Sequence, residues 1–217
     1  MNYLTQKPAD STERVILWLL WFIRFDILAG IAWMLIIGNW EAFFINITAL
    51  GLTFVPAWAA NKYKIKLPID YVFLIGLFIY LSMVLGSVYE AYERFFWWDA
   101  VLHTASGIML SYGVFLAMFI LYKNKKIEMS PFLIAVFTFS FGLALGGVWE
   151  IFEFSVDSIF GTNMQRNGLQ DTMWDLIVDA AGSLVVAWVG YDIIKNNREQ
   201  GFMYKAIDRF IRTNDRK

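Results

Sequence analysis

The sequence predicts an all-α fold: a polytopic transmembrane helical bundle of about six spans, with both termini cytoplasmic. Three observations carry that reading. Apolar residues make up 59% of the 217 and charged residues only 17%, with a mean hydropathy of +0.52; soluble domains run at about 45–50% and about 25%. Apolar windows of about 20 residues recur along the chain, each long enough to cross a hydrocarbon core of about 30 Å. Lys and Arg gather in alternate connections, as the positive-inside rule requires.

The spans fall at Val15–Gly38, Glu41–Ala60, Pro68–Tyr89, Asp99–Tyr122, Pro131–Phe154 and Thr172–Ile194. The first exceeds the 7–15 apolar residues of a signal peptide, so it is expected to stay as an anchor. It carries Arg24 and Asp26, whose i,i+2 spacing puts them on different faces, each reaching another helix. Arg24 is expected to partner the inner acids. The second span ends at Lys62, Lys64 and Lys66, and the third closes at Glu90 and Glu93. The fourth opens with Asp99 and His103 and ends at Lys123, Lys125 and Lys126. The fifth carries Gly142, Gly146 and Gly147, small residues that permit close helix packing, and then Glu150, Glu153 and Asp157. Ser155–Asp171 is the longest connection, with turn residues Gly161, Asn163, Asn167 and Gly168. The sixth opens with Asp171, Asp175 and Asp179, followed by Gly182 and Ser183. No inverted repeat or broken helix is evident.

With the N-terminus inside, fifteen of the eighteen Lys and Arg lie on the cytoplasmic side, from Lys7 and Arg14 to Arg216 and Lys217; only Arg94 and Arg166 lie outside. The chain thus divides into a cytoplasmic segment 1–14, a membrane domain 15–195 and a basic tail 196–217. In the tail, Phe202, Ala206, Phe210 and Met203, Ile207, Ile211 fall at helical spacing beside Lys205, Arg209 and Arg212. This describes an amphipathic helix for anionic inner-leaflet lipids. A net charge of −1 excludes an overall basic nucleic-acid binder. The absence of Cys excludes disulfides, thiolate metal sites and Cys nucleophiles. Nothing in the sequence sets an oligomeric state.

The acids behave oppositely to the bases. Nine carboxylates and the single His gather at the outer helix ends. Asp99 and His103 are i,i+4; Glu150, Glu153 and Asp157 are i,i+3,i+7; Asp171, Asp175 and Asp179 are i,i+4,i+8. Each set shares one helix face. Ionisable groups within spans are costly and are functional candidates by default, and carboxylates this close need protons, an Arg or a cation. One His among carboxylates suits a divalent cation: Mg, Mn, Ca, Zn or Fe. The candidate ligands are Asp99, His103, Glu150, Glu153, Asp175 and Asp179. His103, Glu150 and Asp179 are the candidate catalytic groups, and Arg24, Trp98, Trp149 and Arg166 the candidate substrate contacts. Tyr89, Tyr92, Phe95, Phe96, Trp97 and Trp174 share the outer level, where an aromatic belt is expected. Glu150-x-x-Glu153 lacks the His of a di-iron pair. A Ser-His-Asp hydrolase would use His103, Asp99 and Ser106 or Ser183, without a nucleophile elbow.

The order Trp98-Asp99-x-x-x-His103, Trp149-Glu150-x-x-Glu153, Asp171-x-x-x-Asp175-x-x-x-Asp179-x-x-Gly182 resembles the YjdF-type bacterial inner-membrane family over roughly residues 15–195. It is more distantly similar to VanZ-like membrane proteins, whose Asp-x-x-x-His, later Glu and Asp-x-x-x-Asn-x-x-Gly run is matched by Asp99/His103, Glu150 and Asp175/Gly182. Asp179 stands where that family carries Asn. The resemblance implies a protein of the bacterial cytoplasmic membrane. An enzyme acting on a lipid or envelope precursor is the first expectation. The alternatives are an ion- or proton-coupled transporter and a non-catalytic scaffold.

Overall fold

The computed structural model describes residues 11–166 and 168–214. Lys7 and most of segment 1–14, Asn167, Arg216 and Lys217 lie outside the described residues. Within them every regular element is helical: α1 Ser11–Ile37, α2 Trp40–Leu52, α3 Val55–Tyr63, α4 Ile69–Ile79 running on as a π-helical stretch Tyr80–Val88, α5 Ala91–Arg94, α6 Trp98–Lys123, α7 Pro131–Phe160, α8 Leu169–Asn196 and α9 Phe202–Asn214. Six helical stretches are long and apolar enough to cross a membrane: α1, α2 with α3, α4 with its π-helical end, α6, α7 and α8.

Local chemistry sets many of the boundaries. Asn39 caps α2 by accepting from Ala42 N at 3.1 Å, and Ser130 caps α7 by accepting from Leu133 N at 3.2 Å. Such caps occupy donors that a helix start leaves unpaired. Pro131 then occupies the first turn of α7, where no N–H is needed. The same helix runs six residues past Phe154 and stops at Gly161, whose φ of 68° is a left-handed C-cap. The connection between α7 and α8 is therefore 161–168, shorter than Ser155–Asp171.

Two spans are less regular than the sequence suggests. The second is interrupted at Thr53–Phe54, between α2 and α3. The third ends in the π-helical stretch, and there Gly86 leaves room for the Tyr92 ring, which an added Cβ would strike. The interruption at Thr53–Phe54 corrects the expectation of unbroken helices, whereas the π-helical stretch continues its span without a gap.

The contacts sort into two units. The first takes the described residues of Met1–Trp98 and Phe210–Lys217. Its core is Ile23, Ile27, Ala49 and Val84, with Phe73, Leu77 and Met83 packed against it. Tyr80 donates its hydroxyl to Asp26 Oδ2 at 2.7 Å, and Asn214 holds both the N–H and the carbonyl of Lys66. Asp26 thus reaches another helix, as its spacing suggests.

The second unit is Asp99–Arg209, built on α6, α7 and α8. Its helices meet in layers four residues apart. At one layer Gly107 faces the Asp179 backbone and Gly182 faces Thr104 O; an added Cβ would lie 2.7 and 2.6 Å from those oxygens. Only glycine admits such an approach. One turn on, the buried hydroxyls of Ser111 and Ser183 flank Gly142. Below them the fully buried Phe115 ring packs on Gly190.

Many large apolar side chains point outward, among them Trp18, Phe22, Ile36, Phe132 and Trp188. Exposing each to water would cost about 2 kcal/mol or more, so lipid is their natural solvent. The tail helix differs in part from its expected role. Ile207 is fully buried and Tyr204 packs edge-on against Phe119, while Phe202 is exposed. Part of its apolar face therefore lies on protein.

Candidate metal centre

His103 sits on the second turn of α6 and is 7% exposed. Asp99, one turn earlier, projects from the same face. Glu150 comes from α7, and Asp175 and Asp179 come from successive turns of α8; the latter three are at most 4% exposed. The sequence stripes therefore meet at the imidazole ring.

The two ring nitrogens have different surroundings. Nδ1 lies 3.2 Å from Asp179 Oδ2, within hydrogen-bond range. A carboxylate accepts, so the ring donates there, and in the neutral imidazole Nε2 then keeps its lone pair. Nε2 is faced by Asp99 Oδ1 at 3.8 Å, Glu150 Oε1 at 3.9 Å and Asp175 Oδ2 at 3.9 Å. These separations are too long for hydrogen bonds. With metal–ligand bonds of about 2.0–2.2 Å, two ligand atoms sharing one ion lie roughly 3.3 Å apart in a tetrahedron and roughly 4.2 Å apart when opposite. The three distances fall in that interval. Ligand atoms of Asp99, His103 and Asp175 lie within 4.8 Å of one another, so this buried group could hold a metal ion. Among the described residues, Glu150 Oε1 and Asp175 Oδ2 are, besides, buried acceptors without hydrogen-bond partners, an uncommon and costly condition.

The remaining atoms are held by neighbours. Ser106 Oγ donates to the His103 carbonyl at 2.8 Å and reaches Asp179 Oδ1 at 3.1 Å. It engages Asp179 and not the imidazole, and Ser183 faces Gly142, so the Ser-His-Asp arrangement is corrected: neither hydroxyl is placed as its nucleophile. Gln165 Nε2 donates to Thr172 Oγ1 at 2.7 Å and lies 3.5 Å from Glu150 Oε2. Gln165 and Ser106 Oγ thus support the site, and the Gln165 role carried no sequence signal.

The other candidate residues are placed as follows. Glu153 accepts from Trp149 Nε1 at 3.0 Å, one turn from Glu150. Asp157 leaves the cluster and organises the 161–168 connection, accepting from Thr162 Oγ1, Met164 N and Gln165 N at 2.6, 2.7 and 2.9 Å. Arg166, on that connection, acts electrostatically on Asp99. Trp98 packs with Phe95 and Trp97, and its buried indole N–H has no acceptor among the described residues. Arg24 donates to Thr53 Oγ1 at 3.2 Å and Thr53 O at 2.9 Å. Its expected pairing with the inner acids is thereby corrected: a backbone carbonyl freed at the end of α2 is the acceptor instead.

Six apolar spans define a multi-pass membrane protein, and its second unit holds a buried histidine ringed by carboxylates. The chain belongs to the family described as "Predicted membrane protein (DUF2238)", whose model matches residues 19–196. It is similar to a protein of Thermotoga maritima described as "Uncharacterized protein", 32% identical over 113 residues. That match covers 52% of this chain and 57% of the relative, so the chain spans little more than half the relative's length. No solved structure matches the chain at a significant level.

Proposed function

We propose that this is a bacterial cytoplasmic-membrane protein that holds a divalent cation on Asp99, His103, Glu150 and Asp175 near the outer leaflet and acts on a lipid or envelope precursor. One observation carries the reading: three carboxylate oxygens, two of them buried without hydrogen-bond partners among the described residues, face one imidazole nitrogen at 3.8–3.9 Å. A bound divalent cation supplies Lewis acidity at such a site. Asp179 orients the ring through Nδ1, the outer-sphere contact common to histidine ligands. Gln165 fixes one oxygen of Glu150. Glu153, with Trp149, lies one turn further out, where a substrate headgroup would enter. The Lys and Arg distribution supports a cytoplasmic location for both termini, and the likeness to YjdF-type proteins supports a bacterial inner membrane.

The test is elemental analysis of the purified full chain. About one equivalent of a divalent metal is expected, lost on Asp175→Asn or Glu150→Gln with helix content unchanged. A metal-free protein that cannot be loaded, and whose variants behave as wild type, would sink the reading.

A second reading, an ion- or proton-coupled carrier, draws on the interruption at Thr53–Phe54, since discontinuous helices recur in carriers. Flux in proteoliposomes separates the two: a carrier moves its ion, and the carboxamide variants stop it.

A further inference from the structure

We infer that the cleft between the ends of α6 and α8 and the start of α9 is a site for one anionic phospholipid, with the lipid phosphate on Lys123 and Tyr122 and the acyl chains left in the bilayer. The site is independent of the metal reading. It lies in the second unit, about 30 Å along α6 from His103.

The cleft has a volume of about 190 Å³. A pocket that encloses a whole small molecule measures about 300–1,000 Å³, so this one fits a headgroup and not a complete ligand. Its lining is apolar at depth. Phe119 and Ile193 are buried, and the Phe119 ring meets Tyr204 edge-on with ring centres 6.3 Å apart. Toward the surface the lining turns polar. Tyr122 and Lys123 come from the last turn of α6, Asn197 from the left-handed cap of α8 and Tyr204 from the first turn of α9. An apolar depth under a polar rim, at the level where two spans end, reproduces the boundary between acyl chains and headgroups. Basic pockets between spans on the cytoplasmic side hold anionic headgroups in other membrane proteins.

The charges select an anion. Among the described residues Lys123 has no carboxylate partner, and neither do Lys125 and Lys126 on the turn that follows it or Lys205 next to Tyr204. The bases at the end of α8 are already engaged: Lys195 donates to the Tyr191 hydroxyl at 2.6 Å, and Arg198 pairs with Asp192 at 3.0 Å. Lys123 is therefore the base of the cleft wall left to meet a ligand. The Tyr122 hydroxyl beside it makes no hydrogen bond among the described residues and can donate to a phosphate oxygen. The carbonyl ends of α6 and α8 oppose an anion, whereas the positive end of the α9 dipole favours one. The helix ends thus largely offset, and the side chains carry the contact. Glu199, the acid in the wall, is exposed and sets a repulsion that can be removed by substitution.

The experiment uses the full chain in phosphatidylcholine nanodiscs with and without phosphatidylglycerol. Native mass spectrometry counts the lipids retained on release, and the thermal midpoint is read in the nanodisc. Wild type is expected to keep one phosphatidylglycerol in preference to phosphatidylcholine and to melt higher when it is present. Lys123→Gln should hold that lipid about fivefold more weakly, the effect of one Lys at an anionic headgroup. Lys126→Gln removes the same charge from the adjoining turn, outside the cleft wall, and should lose less. Glu199→Gln should hold the lipid more tightly. All three side chains are exposed, so the variants keep the fold. The inference is overturned when wild type keeps no phosphatidylglycerol, or when Glu199→Gln weakens retention. It is overturned as well when Lys123→Gln loses no more than Lys126→Gln, the mark of diffuse attraction to a charged surface.

Discussion

His103 Nδ1 lies 3.2 Å from Asp179 Oδ2, on the opposite side of the ring from Asp99, Glu150 and Asp175. The four acids therefore divide into one that aims the imidazole and three that share its free nitrogen. Asp179→Asn keeps the shape and removes the charge. Metal affinity should fall about 10- to 100-fold, the usual effect of losing an outer-sphere partner, while saturating stoichiometry stays at wild type. Titration against a competing chelator reads both quantities.

His103→Ala should abolish metal loading and leave three carboxylates facing a void. Treating wild type with a chelator should lower its melting midpoint, because an ion that binds only the folded state stabilises it by mass action. The same chelator should not move the midpoint of His103→Ala. A scanning melt on both proteins checks the pair.

Gly146→Ala should destabilise by about 1–3 kcal/mol, because its Cβ would land on the Asp179 carboxyl group. Gly113→Ala meets nothing within 4 Å and should gain up to about 1 kcal/mol of helix propensity. Opposite signs from two glycines of one unit test whether the layered packing is real.

Asp157→Ala removes three acceptor contacts from the 161–168 connection. Amide exchange at Met164 and Gln165 should accelerate, while the buried turns of α6 around Ser111 exchange as in wild type. Uniform protection in both proteins would mean that Asp157 does not hold the connection.

Tyr80→Phe strips Asp26 of its hydroxyl donor within a span. A loss of about 1–3 kcal/mol is expected, read as a lower melting midpoint. Asp26→Asn, which can still accept from Tyr80, should lose less.

The spans and the meeting of the stripes were legible for a simple reason. Hydropathy is a local property, and residues three or four apart must share a helix face, so Asp99 with His103 and Asp175 with Asp179 follow from spacing alone. Which atom faces which does not. Nothing local separates Asp179, which meets Nδ1, from Asp175, one turn away, which meets Nε2; the distinction arises from how α6 and α8 cross at Gly107 and Gly182. Arg24 was misread because its acceptor, Thr53, exists as a partner only where α2 breaks. The end of α7 was placed too early: the acids from Glu150 onward look like an exit from the membrane, whereas Gly161 is the residue that stops the helix. Gln165 left no trace, since a loop amide carries no periodicity.

Along α7, Thr138, Gly142, Gly146 and Glu150 stand at intervals of four, each at the level of its counterparts on α6 and α8. An inserted residue between any two of them would rotate everything beyond it by about 100° and shift it by about 1.5 Å. Glu150 would then be carried to the lipid side, and a bulky neighbour would face Asp179. Length between these positions is therefore held more tightly than side-chain identity on the outer face. Homologues should vary freely at Phe141 or Val148 and yet show no gaps from Thr138 to Glu150.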